Sequence, residues 1–174
     1  MPLKENTLIL YKNPYFLETG SYLGDGIEKA ISAGFQTIIS IELSQKYFEL
    51  CTKKFSMNSN VKIILGDSSL MLSDVIKNID VPITFWLDGH HSCGDTALGN
   101  KWSPLIEELI IIKEHPIKTH IILIDDMRCW KKENPVIGFG HTEIVNVIME
   151  INNKYKIEYI DGCEQNDILA ARIG

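Results

Sequence analysis

Phe16-Leu17-Glu18-Thr19-Gly20-Ser21-Tyr22-Leu23-Gly24-Asp25-Gly26 is the stretch on which the reading of this chain turns. An apolar strand ends in an acid, glycines then crowd a tight turn, and a helical pattern (Ile27, Ala30, Ile31) follows at once. Glycine at Gly20, Gly24 and Gly26 permits positive φ and lets a ligand approach the backbone where a Cβ would block it. The turn also presents free N–H groups at a helix N-terminus. Such a turn suits an adenosine-bearing cofactor. Its order, Gly-x-x-x-Gly-x-Gly after Glu, is not the Gly-x-Gly-x-x-Gly dinucleotide pattern.

Working outward, Ile38-Ile39-Ser40-Ile41-Glu42 is a β-branched run that ends in a carboxylate. An acid at the end of the second strand is where such folds bind ribose hydroxyls. A third run, Val61-Lys62-Ile63-Ile64-Leu65, stops at Gly66-Asp67-Ser68, a carboxylate and a hydroxyl suited to an adenine edge. On these residues the chain resembles the class I S-adenosylmethionine-dependent methyltransferases. Glu18 to Gly24 matches their first motif, Glu42 their ribose-binding acid, and Gly66-Asp67 the acid after their third strand. The resemblance spans nearly the whole chain. It implies one domain over 1–174 that holds S-adenosyl-L-methionine through Glu18, Gly20, Ser21, Gly24, Gly26, Glu42, Asp67, Ser68 and Asp88.

The pattern of elements points the same way. Strand and helix signals alternate, which favours an α/β fold with a mainly parallel sheet. Strands are expected near 15–19, 37–42, 61–65, 83–88 and 120–125, and helices near 25–33, 45–57, 69–78, 103–114 and 142–153. Ser44 is a candidate N-cap, and Pro104 suits the first turn of a helix. Lys156–Ile160 and Ile168–Arg172 read as strands joined by a short polar turn, so they should pair antiparallel. The expected fold is a Rossmann-like, doubly wound, mostly parallel seven-stranded sheet with a C-terminal antiparallel strand.

A length of 174 residues with 45% hydrophobic content suits one core. A net charge of −6, with Lys53-Lys54 and Lys131-Lys132 the only adjacent basic pairs, argues against a nucleic-acid surface. No run approaches the roughly 20 apolar residues of a membrane span, and Met1-Pro2-Leu3-Lys4 does not open a signal peptide. Cys51, Cys93, Cys129 and Cys163 show no C-x-x-C spacing, which fits reduced thiols. The expectation is a soluble, cytoplasmic protein with a small-molecule acceptor and no membrane or nucleic-acid partner. A homo-oligomer is compatible with it.

Phe85-Trp86-Leu87-Asp88 and Ile121-Ile122-Leu123-Ile124-Asp125-Asp126 both end in acids. On neighbouring strands about 4.8 Å apart these carboxylates would lie close together. Mutual repulsion then favours protonation or a shared cation, and a hard ion such as Mg²⁺ (or Mn²⁺) takes oxygen ligands. More narrowly, this resembles the metal-dependent O-methyltransferases of the catechol and macrolide-sugar type, with Asp88, Asp125 and Asp126 at the metal positions. The resemblance places a general base two or three residues after the first Asp, at His91 or, failing that, His90. Imidazole suits that task.

Each residue also has a plainer role: Asp67 and Ser68 as helix caps, His90 and His91 as polar loop residues, and His141 as part of a helix start. Trp102 and Trp130 could wall a substrate pocket or shield the sheet edge. A zinc set of His90, His91, Cys93 and Cys129 matches no usual spacing and is disfavoured. Three alternatives stay open beside a metal-assisted O-methyltransferase. They are a metal-free methyltransferase using Asp88 and His91, a non-catalytic cofactor- or partner-binding domain, and, disfavoured by the glycine spacing and terminal hairpin, a nicotinamide-dependent oxidoreductase.

Overall fold

The computed structural model describes residues 3–91, 97–99, 101–130 and 138–174. Along them run α1 (Glu5–Leu10), β1 (Tyr15–Thr19), α2 (Asp25–Ser32), β2 (Thr37–Glu42), α3 (Gln45–Lys54), β3 (Val61–Leu65) and α4 (Ser68–Ile76). Then come β4 (Ile83–Leu87), α5 (Leu105–Glu114), β5 (Ile121–Ile124), a 3₁₀ turn (Met127–Trp130), α6 (His141–Ile151), β6 (Tyr155–Ile160) and β7 (Ile168–Ile173). The strands form one sheet in the order β3-β2-β1-β4-β5-β7-β6. All neighbours from β3 to β5 pair parallel, and β7 pairs antiparallel with both β5 and β6. The sheet has the expected strand count, direction and terminal hairpin.

Period-two alternation explains why the strands read as continuous apolar runs. Phe16, Ile38, Trp86 and Leu123 face one core, with Leu8 of α1, Ile27 and Ala30 of α2, and Cys51 of α3. Their neighbours Leu17, Ile39, Phe85 and Ile122 face the other, with Leu72 and Ile76 of α4, Leu109 and Ile112 of α5, and Ile144 and Ile148 of α6. A strand buried on both faces needs apolar residues at every position.

Several boundaries differ from expectation. Helix α1 was not anticipated, because it spans only 6 residues and its N-cap Lys4 makes no side-chain cap bond. It is held instead by burial of Leu3 and Leu8. Ser44 stands at the N-cap of α3 but its side chain makes no cap bond; its backbone N–H is captured by Glu42 Oε1 at 2.7 Å. Pro104 is the N-cap residue of α5 rather than inside its first turn, and Ser103 Oγ accepts from the Leu105 N–H at 3.2 Å. His141 is the first residue of α6 and its ring stacks on Tyr159.

The sheet order reverses at β1. To one side lie β2 and β3, to the other β4 and β5. Strand ends diverge there and leave a crevice at the carboxyl edge.

Candidate active site

A cleft of about 760 Å³ opens at that crevice. Its floor is the turn from β1 into α2, where Gly20 has φ +88° and Gly24 φ +83°. A Cβ on Gly20 would stand 2.8 Å from the Asp88 carbonyl oxygen, and one on Gly24 2.6 Å from the Phe55 ring. Glycine is therefore demanded by the protein's own packing as well as by any ligand. Gly20, Ser21, Gly26 and Glu42 line the cleft. Glu42 is held at both oxygens, by the N–H of Tyr22 at 2.9 Å and of Ser44 at 2.7 Å. Each oxygen keeps further acceptor capacity for a ligand hydroxyl.

Glu18 lies beneath that floor, 1% exposed and not on the cleft surface. Ser40 Oγ donates to it at 2.7 Å, and Ser21 Oγ meets Ser40 Oγ at 2.5 Å, so the buried acid reaches the cleft through two hydroxyls. Burial pushes Glu18 up to about 8, against the Ser40 hydrogen bond, and the charges of Glu42 and Asp25 add to the rise.

Asp67 caps α4, accepting from Ser69 N at 2.9 Å and Ser69 Oγ at 2.6 Å, and also lines the cleft. Ser68 lines the cleft too, and its hydroxyl donates to Glu108 Oε1 at 2.5 Å. Glu108, on α5, is 1% exposed. A Cβ on Gly89 would stand 3.3 Å from Glu108 Oε1 and 3.2 Å from Thr19 Oγ1. Glu108 thus holds the start of α4 and lies beside the turn that follows β4. Burial raises it to about 7, against the hydrogen bond from Ser68.

At the ends of β4 and β5, Asp88, Asp125 and Asp126 each offer an oxygen within 4.8 Å of the others. Burial first, and then the charges of Asp125 and Asp126, raise Asp88 well above the ordinary carboxylate range. Burial and the Asp126 charge raise Asp125 to about 7. Asp126 goes the other way. Burial works against its charge, but His90 and the Arg128 guanidinium outweigh it and hold the carboxyl low. Arg128 bridges Asp126 Oδ1, at 2.5 Å, to Asp167, whose carboxylate also accepts from Arg128 N at 3.0 Å. Three close oxygens, two of them pushed toward protonation by burial and then by neighbouring acids, form a donor set that fits a hard divalent cation.

His90 also lines the cleft. Its ring is buried against Trp102 and Trp130, at centroid distances of 5.3 and 6.0 Å. Nε2 stands 3.0 Å from Asp126 Oδ2, and Nδ1 3.7 Å from Asp88 Oδ1. His91 donates its backbone N–H to Trp102 O at 2.8 Å and is not part of the cleft wall. Of the two histidines, His90 is the one with contacts to Asp88 and Asp126 and a place in the cleft wall. Trp130 is 1% exposed and shields the sheet edge. Cys93, of the disfavoured zinc set, lies outside the described residues.

No protein-family model matches the chain, and no curated protein matches its sequence. Solved structures do. The O-methyltransferase of Bacillus cereus in complex with SAH aligns with a TM-score of 0.63 at 12% identity, over 98% of this chain and 78% of that one. The Streptomyces achromogenes O-methyltransferase of tomaymycin synthesis, in complex with SAM, aligns at 0.65 and 13%, over 98% and 78%. This is the class I O-methyltransferase fold. The same fold reaches the fibrillarin–Nop5p complex at a TM-score of 0.53 and 16% identity, over 91% and 71%. At these identities the likeness is one of architecture.

Three residues of the site escaped the sequence reading: Glu108, Arg128 and Asp167. Glu108 did leave a signal, since Leu105, Glu108, Leu109 and Ile112 all fall on the buried face of α5. A charge on an apolar stripe marks a paired or protonated group. Arg128 and Asp167 are 39 residues apart and leave none.

Proposed function

We propose that the chain is an S-adenosylmethionine-dependent methyltransferase that acts on the hydroxyl of a small acceptor, with a divalent cation at the acidic centre. One observation carries this: Glu42, on the cofactor side, and Asp88, Asp125, Asp126 and His90, on the proton-handling side, share a single cleft. S-adenosylmethionine would bring an electrophilic methyl carbon, and Mg²⁺ or Mn²⁺ a positive charge that makes an adjacent hydroxyl easier to deprotonate. Glu42, Gly20, Ser21 and Asp67 would hold the cofactor, and Asp88, Asp125 and Asp126 the ion. The chain's own tasks are then to align the acceptor and take its proton. His90 would donate its Nε2–H to Asp126, which orients the ring, and accept that proton at Nδ1, with the two tryptophans excluding water.

Arg128 supports a second reading, a metal-free methyltransferase in which its guanidinium is the standing counter-charge of Asp126. Thermal melting separates the two. S-adenosylhomocysteine should raise the melting temperature and NAD should not. Mg²⁺ should raise it further, and a chelator should reverse only the Mg²⁺ step. A protein indifferent to S-adenosylhomocysteine would remove the methyltransferase reading; a shift with it but none with Mg²⁺ would leave the metal-free one.

A further inference from the structure

His90, Asp126 and Cys129 bring a ring nitrogen, a carboxylate oxygen and a sulfur to within 4.8 Å of one another, a donor set different from the all-oxygen one beside it. Two local features assemble it. Asp126 adopts φ +57°, a left-handed conformation that turns the chain sharply after β5. The Cys129 N–H then donates to the Asp126 carbonyl at 2.8 Å, fixing thiol and carboxylate on one 3₁₀ turn. His90 enters from the β4 side with its ring already immobilised by Trp102 and Trp130.

We propose that His90 Nε2, Asp126 Oδ2 and Cys129 Sγ form a second cation site, one that takes a thiophilic divalent ion such as Zn²⁺. The 3.0 Å between Nε2 and Oδ2 is a hydrogen-bond length. It is also close to the separation of two ligands each about 2.1 Å from a common zinc ion. The ion takes the place of the proton in that contact, and that proton moves to Nδ1 as the ring changes tautomer. Cys129, a free thiol, joins by releasing its proton to solvent and ligating as thiolate. The remaining ring proton sits on Nδ1, which faces Asp88 Oδ1 at 3.7 Å. A carboxylate behind the second nitrogen is the arrangement that orients zinc-ligating histidines. Arg128 holds the other oxygen, Oδ1, and need not move. Three protein ligands leave a fourth position open, and the donors are mixed, so the ion chosen is one that accepts nitrogen and sulfur rather than Mg²⁺.

A filled site occupies His90 and the Asp126 oxygen that faces it. This would silence the proton-handling side of the cleft. That consequence, unlike the site, rests on the methyl-transfer reading.

The test is a titration of metal-stripped full-length protein with Co²⁺, a spectroscopic stand-in for Zn²⁺. The expected result is a near-ultraviolet thiolate-to-cobalt charge-transfer band that saturates at equimolar ion and is displaced by Zn²⁺. In Cys129→Ser the band should vanish, and Zn²⁺ should bind at least about 10-fold more weakly. No band at equimolar Co²⁺, or a band undiminished in Cys129→Ser, overturns the site. Should that variant fail to fold, alkylation of the native protein decides: Zn²⁺ must protect Cys129, read by peptide mass, and unprotected alkylation overturns the proposal. S-adenosylhomocysteine affinity of the same preparation reports separately on methyl transfer. Zinc binding without it would keep the site and remove its consequence.

Discussion

Both oxygens of Glu42 are engaged by backbone N–H groups, of Tyr22 and of Ser44, before any ligand arrives. A carboxylate fixed in this way loses little side-chain entropy on binding a ribose diol, so its hydrogen bonds count nearly in full. Glu42→Ala should weaken S-adenosylhomocysteine binding by about 1–3 kcal/mol, measured by calorimetry; unchanged affinity would remove Glu42 from the cofactor. The two histidines separate at the same scale. His90 meets Asp126 at 3.0 Å inside the cleft, whereas His91 is fastened by its backbone to Trp102 outside the cleft wall. His90→Gln should lower turnover about 10²–10⁴-fold with cofactor affinity kept, and His91→Ala far less. The reverse order, measured by steady-state turnover on an accepted hydroxyl compound, would return the role to His91. Adjacent residues on a loop point in different directions, and no periodicity tells which one faces in.

Helix α5 carries more than its apolar stripe. Through Glu108 it holds Ser68 at the head of α4, beside Gly89 just after β4, and both segments wall the cleft. The acid's raised value, about 7 against 4.5, has a definite sign in stability. Between pH 4.5 and 7 the native chain holds a proton on Glu108 that the unfolded chain has lost. Lowering the pH through that window therefore favours the native state. Glu108→Gln carries no titrating proton, so the wild type should gain on it by about 1.4 kcal/mol per pH unit as pH falls from 7 to 4.5. Urea unfolding of both proteins at several pH values gives the difference directly. A gap that stays constant with pH would mean that Glu108 is ionised in the native state. At the other end of the sheet, burial and the neighbouring His115 depress His120 to about 3. Its ring accepts from Ile83 N at 3.0 Å and meets His115 at 3.0 Å, so it belongs to the architecture and not to the cleft. Its depressed value destabilises the native state progressively below pH 6.5, opposite in sign to Glu108, which is why the difference between variants is the safer reading.

At the scale of the molecule, the cleft exists because the sheet order reverses at β1 and the helices divide into two layers. Helices α1 to α3 cover one face and α4 to α6 the other. A ligand spanning β3 to β5 bridges the strand ends, so it should stiffen the whole fold. At a concentration of about 100 times its dissociation constant, S-adenosylhomocysteine should add about 2.7 kcal/mol. For a chain of this size that is a rise of about 5–10 °C in melting temperature. Among the described residues no helix is long and apolar enough to cross a membrane.

What the sequence determined by itself was whatever repeats or stops locally. Doubly buried strands announce themselves as unbroken apolar runs, the glycines of 20–26 mark a turn no other residue fits, and acids at strand ends fall at one edge once the sheet is parallel. The terminal hairpin follows from two strands with no room for a helix between them. Helix α1 escaped because six residues carry too little periodicity, and its stability comes from Leu3 and Leu8 packing against distant side chains. Only the tertiary structure decided that Ser68 donates to Glu108, that Arg128 is clamped between Asp126 and Asp167, and that Cys129 joins His90 beside Asp126. Each of these is a contact between segments tens of residues apart, or a rotamer set by such a contact. Its energy depends on which strands become neighbours, and that is settled by burial of the whole sheet rather than by any local stretch.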